Sequence, residues 1–122
     1  MIDDMTLDDV PEVLAIERRS FATPWTEENF RHEIGANPVA VNRVLRVEGV
    51  VAGYVSAYVV ADELQINDIA VAPGMRRRGF GRQLLDDVMA IAREREVDSR
   101  KFFWNRSLNS SARSPSPIAG SA

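Results

Sequence analysis

Ile69-Ala70-Val71-Ala72-Pro73-Gly74-Met75-Arg76-Arg77-Arg78-Gly79-Phe80-Gly81-Arg82 is the stretch on which the reading of this chain turns. An apolar strand ends at Val71, and Pro73-Gly74 breaks it. Phe80, Leu84, Leu85, Val88, Ile91 and Ala92 then recur at helical spacing, which predicts a helix over residues 79–96. A helix start leaves main-chain N–H groups without internal acceptors, and the helix dipole adds partial positive charge there. The three consecutive arginines add full charges, and Gly79 and Gly81 let an anion come close to the backbone. Strand, loop and helix together predict a site for phosphate or diphosphate. A solvated basic cluster or a nucleic-acid contact is the alternative for Arg76–Arg78. The glycines and the preceding strand fit phosphate better, and the body of the chain is acidic.

Working outward toward the N-terminus, Ile2 to Met5 reads as a short strand. Thr6, with Asp9 three residues on, reads as a capping box opening a helix over residues 7–20. Val10, Val13, Leu14 and Glu17 share one face of that helix. Phe21-Ala22-Thr23-Pro24-Trp25 interrupts it, and Thr26 caps a second short helix that Gly35 and Asn37-Pro38 end. The valine-rich region 39–60 predicts two antiparallel strands, about 39–48 and 50–60, around a Glu48-Gly49 turn. Asp62-Glu63 turns into a third strand, Leu64 to Val71, and a further strand is expected through Phe102-Phe103-Trp104. Asp68 reads as a strand-edge or turn residue, and Asp86 and Asp87 as part of a solvated helix face. Tyr54 and Tyr58 share a strand face; packing is the expected role and lining an acceptor groove the alternative. Trp25 reads as core, with a ligand contact as the alternative, and His32 as a surface residue.

The 122 residues suffice for one domain, and a 45% apolar content allows a core. With no cysteine and a single histidine, a disulfide framework, a thiolate metal site, a cysteine nucleophile and a Ser-His-Asp triad are excluded or improbable. No apolar run approaches the roughly 20 residues of a membrane span. The start, Met1-Ile2-Asp3-Asp4, lacks the apolar segment of a signal peptide, so a cytoplasmic protein without a membrane partner is expected. Charge is uneven. All 18 acids lie within residues 1–98, whereas residues 99–122 hold four bases, seven serines and no acid.

Two nucleotide motifs fail against the central stretch. There is no G-x-x-x-x-G-K-[ST], and Gly79-Phe80-Gly81 has no third glycine after it. The stretch matches R-x-x-G-x-G from Arg76 to Gly81, directly after Ile-Ala-Val. This resembles the coenzyme A loop of the GNAT superfamily of N-acetyltransferases. The resemblance implies an α/β fold: a mixed, mostly antiparallel sheet with helices on both faces. It implies acetyl-CoA as co-substrate, with Ile69, Ala70 and Val71 against the pantetheine arm and Arg77, Arg78, Gly79, Phe80, Gly81 and Arg82 around the pyrophosphate. The helix ending Ala15-Ile16-Glu17-Arg18-Arg19-Ser20-Phe21, followed by Thr23-Pro24-Trp25-Thr26, is similar to the entry of the RimI-type subfamily. Those enzymes acetylate the N-terminal alanine of a small-subunit ribosomal protein. The resemblance implies the same acceptor class and no direct nucleic-acid partner.

The resemblance covers residues 1–98. Beyond it, such a protein would continue with L-x-L-E-V-R and a helix containing A-L-Y, the strand glutamate being the family's proposed base and the tyrosine its proposed acid. Here the stretch reads Lys101-Phe102-Phe103-Trp104-Asn105-Arg106, no glutamate follows Glu96, and the last tyrosine is Tyr58. A base used by other members, four residues before Ile-Ala-Val, is Gln65 here. Asp68 and Glu63 are the remaining acids near that strand and are expected to be solvated. The catalytic residues are therefore unassigned. The expectation is a partial, C-terminally truncated acetyl-CoA-binding domain over 1–104 and a low-complexity, disordered tail over 105–122 arising from a shifted frame or mis-set gene end. Its expected activity is an impaired protein N-acetyltransferase, with a non-catalytic coenzyme A-binding or partner-binding fragment as the alternative.

Overall fold

The computed structural model describes residues 1–105 and 116–117. Strand β1 (Ile2–Asp4) is followed by a 3-10 turn at Leu7–Asp9, then α1 (Val10–Ser20) and α2 (Glu27–Gly35). β2 (Ala40–Val47), β3 (Val50–Val60) and β4 (Glu63–Val71) come next. A 3-10 turn at Pro73–Met75 leads to α3 (Phe80–Glu94), and a third 3-10 turn at Ser99–Lys101 leads to β5 (Phe102–Trp104). Ser116–Pro117 forms a two-residue β6. The strands make one sheet in chain order, antiparallel throughout except where β5 runs parallel to β4. A parallel neighbour needs a crossover, and α3 supplies it.

This is the mixed, mostly antiparallel sheet flanked by helices that the sequence implied. The termini of the elements follow from local chemistry. Thr6 N–H donates to the Asp9 carboxylate at 2.9 Å and opens the first helical segment. Thr26 Oγ1 accepts from Asn29 N–H at 3.1 Å and caps α2. Glu48 and Gly49 both take left-handed φ values, 52° and 81°, as a tight two-residue hairpin requires. The expected disordered tail falls on residues that, apart from 105, 116 and 117, lie outside the described set. Ser116–Pro117 itself pairs antiparallel with Phe103–Trp104.

Side chains alternate across the sheet, so each strand feeds two cores. Val44, Val51, Tyr54 and Ala70 pack with Val13, Leu14, Trp25 and Phe30 under α1 and α2. Leu45, Val55, Leu64, Ile66 and Phe102 pack with Leu84 and Val88 of α3. The solvated reading of Asp87 is corrected. Its carboxylate takes Arg43 Nε of β2 at 2.8 Å and is only 21% exposed, tying the outer face of α3 to the sheet. Asp86, by contrast, makes an exposed pair with Arg82.

Gly53 on β3 faces Val71 in register, and a methyl group there would lie 2.9 Å from the Ala70 carbonyl oxygen and 3.1 Å from Leu84 Cδ1. Only hydrogen lets α3 lie this close to β4. Gly53→Ala should therefore destabilise the fold by about 1–3 kcal/mol through overpacking, read as a lower denaturant midpoint at unchanged slope.

Candidate functional site

The end of β4 is where the sequence signals converge. Ala72 N–H donates to the Ala52 carbonyl at 2.7 Å, so residue 72 faces β3. Strand alternation then turns the main-chain groups of Val71 and Ile69 to the opposite edge. β5 pairs only with Leu64–Ile66, and Asn105 N–H adds a bond to the Ile66 carbonyl at 2.8 Å. Among the described residues, β4 therefore runs past its partner from residue 67 onward. The register jumps from Ala57–Ile66 to Ser56–Asp68, so Asn67 is the extra residue of a bulge at that point.

The following loop is shaped by two left-handed residues, Arg77 at φ 66° and Gly79 at φ 78°. The main-chain bonding of α3 begins with Gln83 N–H donating to the Gly79 carbonyl at 3.0 Å, which leaves the N–H groups of Phe80, Gly81 and Arg82 without helical acceptors. A Cβ on Gly79 would meet nothing within 4 Å, and one on Gly81 would meet only Val71 Cγ2 at 3.8 Å. The chain thus leaves room beside these amides that its own packing does not require. Arg77 and Arg78 are exposed, and among the described residues neither has a carboxylate within ion-pair range. Arg82 pairs with Asp86 at 2.9 Å, an exposed contact of little energetic weight. Arg76 plays a different part. Its Nε donates to the Val71 carbonyl at 3.1 Å and its Nη2 to Ser20 Oγ at 3.3 Å, bracing the loop against the end of α1.

The residues singled out from sequence are thus brought to one place, with Ile69, Ala70 and Val71 beside the start of α3. Ile69 is half-buried toward α3, Ala70 is buried toward α1, and the Val71 carbonyl is already taken by Arg76. The arrangement offers main-chain donors, a basic rim and an unfilled strand edge. Those are the elements needed to hold a diphosphate and an extended amide-bearing arm. Among the described residues no cluster of metal-ligating side chains occurs, and no helix is long and apolar enough to cross a membrane.

The α1–α2 face carries residues that the sequence reading passed over. Glu17, noted only as a polar interruption of an apolar helix face, is fully buried. Its carboxylate accepts from Trp25 N–H at 2.8 Å and from the Tyr54 hydroxyl. Trp25, Phe30 and Tyr54 pack in a row, the first pair tilted and the second edge-to-face, with ring centroids 5.1 and 5.9 Å apart. Burial, then the charges of Asp68 and Glu17, hold the Tyr54 hydroxyl far above its ordinary pKa, so it stays a donor. Asp68 corrects the expectation of a solvated strand-edge acid. It is 3% exposed, on the strand interior beside Tyr54, because the bulge at Asn67 turns it inward. Trp25 is core at 8% exposure and also lines a recess of about 150 Å³ with Asn29, Glu33 and Tyr58. His32 is exposed, as expected. Gln65 lies opposite Tyr58 and accepts from Asn105 Nδ2 at 3.2 Å, so two amides stand where β4 and β5 separate.

The profile of the acetyltransferase (GNAT) family matches residues 10–114. The chain belongs to that family. It is 35% identical over 96 residues to a Bacillus subtilis protein whose name assigns it provisionally as a [ribosomal protein bS18]-alanine N-acetyltransferase, covering 79% of this chain and 64% of that protein. The crystal structure of the ribosomal-protein-S18-alanine N-acetyltransferase from Escherichia coli superposes with a TM-score of 0.76 at 30% identity, covering 85% of this chain and 64% of that one. The PaiA N-acetyltransferase of Thermoplasma acidophilum, solved with coenzyme A, shares the fold at a TM-score of 0.64 and 13% identity, over 90% of this chain and 81% of that one. The chain thus spans 64% of the length of the curated relative named here.

In this GNAT domain Glu17 joins α1, the Trp25 segment and β3 through one buried carboxylate. Glu17→Ala would strand the Trp25 N–H and the Tyr54 hydroxyl, each at a cost of about 1–3 kcal/mol. The variant should unfold at lower denaturant than wild type and should lose more stability than a Glu17→Gln variant, which keeps an acceptor. Chemical denaturation followed by tryptophan fluorescence checks both.

Proposed function

We propose that the chain is an acetyl-CoA-dependent N-acetyltransferase acting on a protein N-terminal amine, with an alanine at the start of a small-subunit ribosomal protein as the acceptor. The observation that supports it best is the juxtaposition at Gly81. The amides of Phe80, Gly81 and Arg82 sit beside the end of β4, and a Cβ on Gly81 would meet Val71 Cγ2 no nearer than 3.8 Å. Acetyl-CoA fits this arrangement: its diphosphate would take the α3 amides and the rim of Arg77 and Arg78. Its pantetheine amides would bond to the unpaired edge of β4 around Ile69, Ala70 and Val71.

The group supplies an activated acetyl thioester. The acceptor amine would take the acetyl group, with the coenzyme's thiolate leaving and the amine's proton passing to that thiolate or to solvent. An α-amine has a reference pKa of about 7.7–8.0, so a tenth or more is already neutral at pH 7. Holding amine and thioester together then supplies the larger share of the rate.

A second reading has its own observation. Gln65 and Asn105 occupy the point where β4 and β5 separate, and neither amide takes up a proton. That composition suits a coenzyme A-binding or partner-binding unit without turnover.

Titration calorimetry with acetyl-CoA, then thiol release with an alanine-starting peptide, distinguishes the two. Binding with thiol release is expected from the first reading and binding alone from a coenzyme A-binding unit; absence of binding overturns both of these and leaves only the partner-binding form. Gly81→Ala is the sharper probe. Inside a helix this change leaves stability level or raises it by up to about 1 kcal/mol, and Val71 leaves space for the methyl. The variant should nonetheless bind acetyl-CoA at least about tenfold more weakly, a loss of the order of one charge-assisted hydrogen bond.

A further inference from the structure

We propose that the recess between α2 and β3, lined by Trp25, Asn29, Glu33 and Tyr58, seats the acceptor's ammonium group with the Glu33 carboxylate as its counter-charge. This rests on the acetyltransferase reading and adds to it the group that recognises the acceptor.

Position is the first argument. Tyr58 faces Gln65 directly across β3 and β4, so the two side chains share a sheet face. β5 pairs with β4 only over Leu64–Ile66, so the edge of β4 toward Val71 extends beyond β5, and Gln65 lies where β5 takes up the pairing. An acyl arm laid along that edge from the start of α3 delivers its far end beside Gln65. The recess at Tyr58 opens next to that point, on the face of α1 and α2, opposite the face covered by α3.

Chemistry is the second. Glu33 Oε1 accepts from the Tyr58 hydroxyl at 2.7 Å and Oε2 from Asn37 Nδ2 at 3.0 Å. These bonds aim the carboxylate and use about two of its four lone-pair sites, leaving the rest for an ammonium N–H. Among the described residues, no Lys, Arg or His comes within ion-pair distance of it. Burial, then the bond to Glu33, pushes the Tyr58 hydroxyl above its usual range, so it remains a donor and does not compete for protons. Trp25 forms an aromatic wall that suits a cation. At about 150 Å³ the recess has room for an ammonium group and a small side chain.

The test compares two hexapeptides of identical sequence beginning with alanine, one free and one N-acetylated, titrated by calorimetry into the full chain with and without saturating coenzyme A. The free-amine peptide should bind about tenfold more tightly than its acetylated twin, as one charge-assisted bond predicts. Glu33→Gln should remove that preference while coenzyme A affinity stays as in wild type. Tyr58→Phe, which keeps the carboxylate, should retain part of it. A wild type that does not discriminate between the peptides overturns the proposal. So does a Glu33→Gln variant that still prefers the free amine, including one whose melting temperature has fallen, because Glu33 would then only brace α2 against β3. Failure of coenzyme A to bind wild type counts against the acetyltransferase reading alone, and the peptide preference measured without coenzyme then decides the seat separately.

Discussion

The approach of α3 to β3 and β4 at Gly53 governs the rest of the structure. With hydrogen in place of a side chain, Leu84 Cδ1 and the Ala70 carbonyl oxygen approach to 3.1 and 2.9 Å of where a Cβ on Gly53 would stand. That contact sets the height of α3 above the sheet and hence where its first turn lies. Because the helix starts only four residues before Leu84, its unbonded N–H groups fall beside Val71. An anion site at a helix start is common chemistry. Here the start of α3 is anchored beside a strand end, and Gly53, on the neighbouring strand directly opposite Val71, provides the anchor.

The opposite face is organised by a different constraint, the buried carboxylate of Glu17. A charge withdrawn from water needs hydrogen-bond partners, and here they come from the Trp25 main chain and the Tyr54 hydroxyl. Those bonds fix the chain between α1 and α2, which places Trp25 over Phe30 and leaves the small recess at Glu33 and Tyr58. Arg76 extends the same logic across the molecule by joining Ser20 at the end of α1 to the carbonyl of Val71. Through these polar ties α1 is fastened to β3 and to the end of β4, the strand that carries the candidate site.

Much of this was legible from residue order. The capping residues Thr6 and Thr26, the Glu48-Gly49 hairpin and the apolar spacing of α3 are local signals, and the elements formed within a residue or two of where these predict. The R-x-x-G-x-G stretch also announced its chemistry locally, since helix-start amides and glycines act over a few residues. Asp68, Asp87 and Glu17 were misread or passed over for one reason. Each is an acid whose partner lies far along the chain or whose burial depends on a bulge, and a single sequence holds no trace of either. Glu33 and Tyr58, 25 positions apart, were brought together by the packing of α2 on β3.

By itself, the sequence determined the order and type of the elements, the family resemblance and the glycine-flanked, arginine-rich start of α3, because periodicity, capping and backbone freedom are properties of neighbouring residues. The tertiary structure decided which carboxylates are buried, where β4 outruns β5, and which side chains of α2 and β3 meet around a recess. Those features depend on strand register and on the distance between layers. Both are set by the sum of packing contacts across the whole domain, and no short segment encodes them.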